Sequence, residues 1–212
     1  MIGMWVIQRL LDILFETRAT ETLVAKATEA ELFQLLQPSP LLNIPGTALL
    51  SYRKPLVRAL ITEAKFHENE KAILLLSLVL ASYLEEELYE HLLTHKEPLT
   101  IVPVPLSKRR MRERGYNQVE RIVRVALSQV TEPHARISYL LTRTRDTRPQ
   151  TQLRKSERLE NVRGAFTTKE SLYGTSVLLI DDVTTTGATL TEARKALETA
   201  GATQIQVLSL AH

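Results

Sequence analysis

Two adjacent carboxylates followed by a hydroxyl-rich turn form the most chemically distinctive stretch of the sequence, VLLIDDVTTTGATL at residues 177–190. The run from Val177 to Ile180 is apolar without interruption, which is typical of a parallel strand buried on both faces. Asp181 and Asp182 are therefore expected at the carboxyl end of that strand, where ligands bind in open α/β sheets. Ionised carboxylate oxygens only accept hydrogen bonds, so the pair suits the two vicinal hydroxyls of a ribose.

The turn after the acids offers hydrogen-bond donors. Hydroxyls and backbone N–H groups ahead of a helix favour a phosphate, because the amino end of a helix carries partial positive charge. The residues expected to supply them are Thr184, Thr185, Thr186, Gly187 and Thr189. The sequence Thr189–Glu192 also has the form of a capping box, and Gly201 is expected to end the helix. The stretch predicts a sugar-phosphate site, with an ordinary strand, turn and capped helix as the alternative.

A second predicted strand, Leu99–Val102, is expected to end beside the acids. Pro103 and Pro105 stiffen its exit, so the Ser107 hydroxyl and the Lys108 ammonium are expected at the same edge of the sheet. A pyrophosphate group would need cations there. Asn117, a little further along the chain, is either a helix cap or a ligand-binding residue.

Positive charge is concentrated in one part of the chain. The 212 residues carry a net charge of +3, but residues 101–163 hold fifteen Lys or Arg against six Asp or Glu, an excess of nine. That excess suits a polyanion such as pyrophosphate or nucleic acid, and a solvated basic face without a partner is the alternative. Tyr116, next to a cluster of arginines, is a candidate to stack on a base or a half-buried tyrosine at a helix start.

The segment Thr142–Phe166 is polar, rich in arginine and too long for a simple connector. We expect a flexible lid there. Arg148, Lys155 and Arg158 in this segment, together with Lys108, are the candidates for neutralising a pyrophosphate leaving group. Each of the four is alternatively a solvated surface charge.

The alternation of strand and helix patterns through the second half of the chain predicts an α/β fold with a doubly wound parallel sheet. Strands are expected at Thr47–Tyr52, Leu99–Val102, Ile137–Leu141, Val177–Ile180 and, as an edge or closing strand, Gln204–Leu210. Helices are expected at Met4–Glu16, Glu21–Leu36, Lys54–Phe66 and Lys71–Leu93, after Asn117 and after Thr189. Pro38 and Pro40 interrupt the early helical pattern. The sequence thus predicts a helical extension over residues 1–45 and an α/β domain over residues 46–212.

Composition excludes several classes of site. There is no cysteine, so disulfides and thiolate zinc sites are excluded, and the five scattered histidines predict no metal centre. The first residues lack the early basic cluster of a signal peptide. The apolar run Ala72–Leu84 is too short for a transmembrane helix, which needs about 20 residues. A cytoplasmic protein that does not enter the membrane is expected.

The acidic pair with its threonine-rich turn resembles the phosphoribosyl-pyrophosphate (PRPP) motif of type I phosphoribosyltransferases. Three further stretches are similar to ComF-type competence proteins, and these are LSYRKPLVRALITEAKF at 50–66, VPVPLSKRRMRERGYNQ at 102–118 and RPQTQLRKSERLENVRGAF at 148–166. Members of that family typically carry a cysteine zinc module after an opening helix. The corresponding interval here, Thr17–Gln37, has no cysteine or histidine, so a helical hairpin is expected in its place.

The resemblance implies a type I phosphoribosyltransferase-like fold that binds PRPP or a nucleotide phosphate. Asp181 and Asp182 would hold the ribose hydroxyls, Arg148 and Lys155 would act at the leaving group, and Mg²⁺ would arrive with PRPP. The family also implies a role in single-stranded DNA uptake during natural competence, with single-stranded DNA and competence DNA-translocation proteins as partners, and it is compatible with an oligomer.

Two other functions stay open. One is an active phosphoribosyltransferase of nucleotide metabolism with an unknown acceptor, and the other is a PRPP-sensing regulator. Thr185 stands where hypoxanthine-type enzymes carry an Asp that exchanges a proton with the base. A threonine hydroxyl is too weak an acid or base for that step at neutral pH, which disfavours purine salvage of this type.

Overall fold

A computed structural model of the protein describes residues 18–131, 134–145, 162–168 and 170–212. The strands in these ranges are β1 Leu36–Pro40, β2 Thr47–Leu50, β3 Leu99–Pro103, β4 Ala135–Ile137, β5 Leu141–Arg143, β6 Phe166–Thr168, β7 Ser176–Val183 and β8 Gln204–Ala211. Six of them form a sheet in the order β1-β2-β8-β7-β3-β4, and β5 pairs with β6 in a separate antiparallel ladder. Neighbours in the large sheet are parallel except β1 and β2. The predicted α/β class with a largely parallel sheet is confirmed.

Seven helices surround the sheet in the described ranges: α1 Ala19–Lys26, α2 Glu29–Gln34, α3 Pro55–Phe66, α4 Glu70–Thr94, α5 Lys108–Arg114, α6 Gln118–Leu127 and α7 Ala188–Thr199. Their starts follow from the residues that precede or open them. Asn69 accepts the Ala72 N–H at 3.1 Å and caps α4, and Asn117 accepts the Val119 N–H at 3.0 Å and caps α6. Of the two interpretations of Asn117, capping is therefore the role seen in the structure.

The large sheet separates two hydrophobic cores. Along β7, Leu178 and Ile180 belong to the core that holds α1, α2, α3, α4 and α6, whereas Val177 and Leu179 belong to the core beneath α7 and the β5–β6 pair. Alternate side chains of a strand point to opposite faces, so a strand covered on both sides must be apolar at every position. This explains the uninterrupted apolar run that precedes the acids.

Three local predictions were wrong. The capping box at Thr189–Glu192 does not form, because α7 begins at Ala188 behind Gly187, and Glu192 instead accepts the Gly164 N–H at 2.8 Å. The strand β8 lies inside the sheet between β2 and β7 and is no edge strand. The predicted strand Ile137–Leu141 is divided between β4 and β5, which belong to different sheets.

The segment before residue 46 contributes to the same sheet and core as the segment after it. Pro38 and Pro40, expected to break the pattern, lie in the edge strand β1, where a missing N–H can face solvent. Val24 and Leu32, from the two short helices in the interval that lacks a zinc module, are buried in the first core. The division between residues 45 and 46 stays a prediction, and the predicted helix Met4–Glu16 lies outside the described residues.

In the described part of the chain, no helix has both the length and the apolar composition that crossing a membrane requires. The long helix α4 meets the length condition but carries glutamates through its second half. Its apolar first half packs against α6 and is buried in the first core.

Candidate functional site

A cavity of about 510 Å³ opens at the carboxyl edge of the large sheet. It is lined by the ends of β3 and β7, the end of α3, the basic helix α5, the start of α6 and Arg143 of β5. The acidic pair and Thr185 therefore lie in one depression with segments that are distant in the sequence. This is the edge at which ligands bind in open α/β sheets.

Asp182 is held in place by protein groups. Its side chain is 8 % exposed, and Oδ1 lies 2.9 Å from the Lys65 ammonium at the end of α3. Gln118, at the start of α6, donates a side-chain amide N–H to Oδ2, and Arg114 donates to the Gln118 side-chain oxygen Oε1 at 3.0 Å. Asp182 lies at the carboxyl end of its strand, as expected, but its side chain is buried there.

Asp181 is partly exposed on the cavity wall, and its Oδ1 accepts the Asp182 N–H at 2.9 Å. Burial of the carboxyl, followed by the charge of Asp182, raises the pKa of Asp181 to about 7, and Lys65 and Arg143 partly oppose that rise. The carboxyl is thus poised to change charge near neutral pH. At pH 7 an acid with this pKa is only partly ionised, whereas an ordinary surface aspartate is fully ionised.

The cations that line the cavity differ from those expected. They are Lys65, Arg109, Arg110, Arg114 and Arg143. Lys108 is exposed and is not part of the lining, and the predicted lid residues Arg148, Lys155 and Arg158 lie outside the described residues. Among the described residues of the lining, five cations stand against three acids, which is a positive balance.

Signals for two of the missed residues were present in the sequence. Arg143 follows the apolar Leu141 by two residues, and in a strand such residues share a face, which is the buried face of Leu141–Arg143. Its guanidinium lies 5.3 Å from the centre of the Phe166 ring. Lys65 follows Ile61 by one helical turn and so shares its face of α3. Only the fold shows that this face ends at the acids.

The turn after the acids divides its threonines between two tasks. Thr184 and Thr186 are buried, while Thr185 and Thr189 line the cavity. The Thr184 N–H donates to the Ala211 carbonyl oxygen at 3.1 Å, which continues the ladder with β8. Of the threonine hydroxyls predicted to contact a phosphate, those of Thr185 and Thr189 belong to residues in the cavity lining.

The same turn rests on the loop between β1 and β2. Asn43 donates to the Thr186 carbonyl oxygen at 3.2 Å. Gly187 has a φ of +74°, and a Cβ there would lie 3.3 Å from Ile44 Cγ2. Glycine is therefore needed at this position for the backbone conformation, and a side chain would press on the supporting loop.

Ser107 has a structural task. Its buried hydroxyl accepts the Arg110 N–H at 3.4 Å and caps α5, whose seven residues carry three arginines to the cavity. The predicted contact of Ser107 with a ligand stays a prediction. Tyr116 is half-buried and donates its hydroxyl to the Ala64 carbonyl oxygen, which agrees with its interpretation as a tyrosine at a helix start.

Large parts of the chain are similar to known proteins. Residues 116–212 match the phosphoribosyl transferase domain family. Competence protein ComFC of Streptococcus pneumoniae is 35% identical over 136 residues, which are 64% of this chain and 56% of the relative. Competence protein F of Haemophilus influenzae is 35% identical over 119 residues, which are 55% of this chain and 51% of the relative. These matches support a ComF-type protein with a phosphoribosyltransferase-like domain.

A third relative is similar over the same part of the chain. The DNA utilization protein YhgH of Escherichia coli K12 is 37% identical over 114 residues, 53% of this chain and 49% of the relative. The chain spans about half the length of the curated relatives it matches.

Among solved structures, the chain is similar to a hypoxanthine phosphoribosyltransferase from Staphylococcus aureus. The two are 15% identical with a TM-score of 0.40, and the match covers 70% of this chain and 69% of that one. The type I phosphoribosyltransferase-like fold rests on the matched domain family and on the parallel sheet with its acids at the carboxyl edge.

The two acids differ in how far they are already engaged by protein groups, which bears on the predicted Mg²⁺. Mg²⁺ that arrives on substrate phosphates needs only one or two protein carboxylates. In the described ranges, no three His, Asp or Glu side chains are grouped so that they could hold a metal by themselves. Asp181 is partly exposed on the cavity wall, whereas Asp182 is already paired with Lys65. A role for Mg²⁺ stays a prediction.

Proposed function

We propose that this ComF-type chain binds PRPP or a nucleotide phosphate in the cavity, and that it supports uptake of single-stranded DNA in natural competence. The observation that carries the first part is the charge layout, with Asp181 on one wall and arginines and Lys65 on the others. A phosphorylated ribose needs both, since its hydroxyls donate hydrogen bonds and its phosphates are anionic. The cavity volume of about 510 Å³ is within the range of small-molecule sites.

Each set of side chains in the cavity suits one part of a phosphorylated ribose. Asp181 accepts hydrogen bonds from the ribose hydroxyls, and the three arginines of α5 neutralise the pyrophosphate. A phosphate at the other end of the sugar is placed by Thr185 and Thr189 at the amino end of α7. Mg²⁺ bound with PRPP supplies further positive charge to the phosphates. Arg148 and Lys155 remain candidates for contacts to the leaving group.

The proposal of a role in competence comes from the relatives and from charge. The matched proteins of S. pneumoniae and H. influenzae are named competence proteins, and that of E. coli is named a DNA utilization protein. Lys108 and Arg112 on the exposed face of α5 add cations outside the cavity. Such a surface attracts a phosphate backbone. We expect the protein to act in the cytoplasm with the proteins that translocate the DNA.

Isothermal titration calorimetry with Mg²⁺-PRPP and with a ribonucleoside monophosphate tests ligand binding. We expect binding by the wild type and its loss in Asp181→Asn. The matched control is Glu198→Gln, which removes a carboxylate from an exposed i,i+4 pair with Arg194 on α7. If Asp181→Asn binds as well as the control, the ribose site is assigned to the wrong place. Pyrophosphate release in the same samples, with candidate acceptors added, would reveal an active transferase.

Fluorescence anisotropy with a labelled single strand tests DNA binding. Phosphate contacts release counterions, so the binding constant should fall as salt is added. A plot of its logarithm against the logarithm of the salt concentration should have a slope of about −0.7 per phosphate contacted. The double variant Lys108→Gln/Arg112→Gln should bind DNA more weakly and keep PRPP binding, because neither residue lines the cavity. An absence of binding by the wild type even at low salt would contradict the DNA part of the proposal and leave the ligand part standing.

A further inference from the structure

One aromatic ring in the lining of the cavity is largely exposed. Among the described residues of that lining, Tyr52 and Phe66 carry aromatic side chains. Tyr52 is half-buried and packs against the first core, whereas Phe66, the last residue of α3, is 60 % exposed. An exposed phenylalanine leaves a large apolar face in water, and covering such a face is favourable. Because Phe66 lies in a cavity, a flat ligand can cover it there.

The guanidinium of Arg114, the last residue of α5, lies over the Phe66 ring. Its Cζ is 4.8 Å from the centre of the ring. The guanidinium is held in this position because it donates to Gln118 Oε1 at 3.0 Å, and Gln118 itself is 2 % exposed. A guanidinium and an aromatic ring attract each other when their faces meet. Phe66 and Arg114 therefore form a stack that exists before any ligand binds, which we call the Phe66–Arg114 stack.

Two sets of contacts connect the Phe66–Arg114 stack to the acidic pair. Phe66 directly follows Lys65, whose ammonium lies 2.9 Å from Asp182 Oδ1. Arg114 is linked to the same carboxylate through Gln118, which donates to Asp182 Oδ2. The stack and the acids thus belong to one connected part of the cavity.

The chemistry of the proposed ligands indicates what the stack could bind. PRPP carries pyrophosphate at the anomeric carbon of its ribose, and a nucleotide carries its base at the same carbon. In the placement proposed above, the sugar lies at Asp181 and the phosphate at its other end lies at the turn before α7. The helices α3 and α5 then supply lining residues that neither group uses. Arginines there suit a pyrophosphate, and the exposed ring of Phe66 suits a base.

We propose that the Phe66–Arg114 stack binds the base of a nucleotide, so that the cavity takes nucleoside monophosphates as well as PRPP. The inference rests on the proposed function, since it extends the ligand placed in that cavity. Every nucleobase has a flat π face, so a site that stacks the base accepts all of them. Stacking also needs no proton exchange with the base, which agrees with the threonine at position 185. Arg114 stacks through its face, so the N–H groups at its edge still suit a phosphate.

Isothermal titration calorimetry with AMP, ribose 5-phosphate and Mg²⁺-PRPP tests the proposal, because ribose 5-phosphate is AMP without its base. The wild type should bind AMP about 5-fold to about 100-fold more tightly than ribose 5-phosphate, since one stacked base contributes roughly 1 to 3 kcal/mol. Phe66→Leu should lose this difference and keep its affinity for the two ligands that lack a base. Phe66→Trp keeps an aromatic face and should bind AMP like the wild type.

The matched control is Tyr89→Leu, which removes an aromatic ring of similar exposure from α4. Tyr89 is 64 % exposed and does not line the cavity. This variant should bind all three ligands like the wild type. The exposed position of Phe66 at the end of its helix should allow Phe66→Leu to fold, and thermal unfolding of each variant checks this.

A free nucleotide and the end of a DNA strand present the same nucleoside monophosphate. Competition against AMP separates these two sources, with a single strand that carries a phosphate at its end and the same strand without that phosphate. If only the phosphorylated strand displaces AMP, the stack binds the terminal nucleotide of a strand. If neither strand displaces AMP, the stack binds a free nucleotide.

Three outcomes would overturn the assignment of the stack. If Phe66→Leu binds AMP as tightly as the wild type does, the base lies elsewhere. If Phe66→Leu loses affinity for all three ligands equally, the ring maintains the shape of the cavity and does not hold a base. In both cases the proposed function stands. If the wild type binds neither PRPP nor a nucleotide phosphate, the proposed function fails and the inference fails with it.

Discussion

Replacing Asp181 with Asn is expected to stabilise the ligand-free protein at neutral and alkaline pH. Burial and the charge of Asp182 raise the pKa of this carboxyl from 3.8 to about 7. Between those two values the folded state holds a proton that the unfolded state has released. Stability therefore falls as the pH rises through this window, and the full cost is present above the folded pKa. An asparagine has no proton to lose and escapes the cost.

The size of the effect follows from the size of the shift. A rise of about three pKa units corresponds to about 4 kcal/mol, which is an upper bound. Asp181 is partly exposed, and solvent around the carboxylate reduces the penalty, so we expect a gain of about 1 to 2 kcal/mol for Asp181→Asn. The gain should increase with pH and level off above about pH 7.

Urea unfolding of both proteins near pH 5 and above the pKa of Asp181 measures the gain. The matched comparison is Asp182→Asn, which should move stability the other way by about 2 to 3 kcal/mol, because it leaves the largely buried Lys65 ammonium without its counter-charge. A reduced stability of Asp181→Asn at alkaline pH, or a gain that does not change with pH, would refute the reasoning. The comparison requires that the free energy of unfolding depends on urea concentration with the same slope in all three proteins.

Three other substitutions each test one contact of the fold, and urea unfolding measures the effect of each on stability. Glu63→Gln should destabilise by about 2 kcal/mol. Although burial opposes it, hydrogen bonds from Arg18 and two neutral side chains lower the pKa of the Glu63 carboxyl, so this contribution is present above its ordinary value of 4.5 and is lost as the pH falls through the lowered value. Gly46→Ala should cost about 3 kcal/mol, because the new Cβ would lie 2.5 Å from the Val207 carbonyl oxygen. Tyr116→Phe removes the hydrogen bond to the helix α3 backbone and should cost about 1 kcal/mol. A change below half the stated size in any of the three would contradict the contact it tests.

The acidic half of the site could be predicted because its determinants are local. A strand, two acids, a turn and a helix are contiguous in the sequence, and the apolar run Val177–Ile180 already states that both faces of the strand are covered. The strand β8, predicted as an edge or closing strand, has no such uninterrupted run, because Ser209 lies within it. Its residues Val207 to Ala211 are all buried, as befits an interior strand.

The cationic half could not be predicted in the same way, because the contacts that place it are long-range. Gln118 and Asp182 are separated by 64 positions in the sequence, and the partner of Asp182 on α3 is more distant still. The false capping box has a related cause. The pattern of Thr189–Glu192 satisfies the local rule, but Glu192 is engaged by the Gly164 N–H, a partner that no local pattern contains.

The turn after the acids is supported by residues from the first segment of the chain. Asn43 holds the Thr186 carbonyl oxygen, and Ile44 packs where a side chain on Gly187 would lie. Both supporting residues precede residue 46, the position at which proline-based reasoning began the α/β domain. Because these contacts support the turn that lines the cavity, the loop between β1 and β2 is part of the structure that shapes the site. The segment expected in place of a zinc module is therefore connected, through β1, to the turn after the acids.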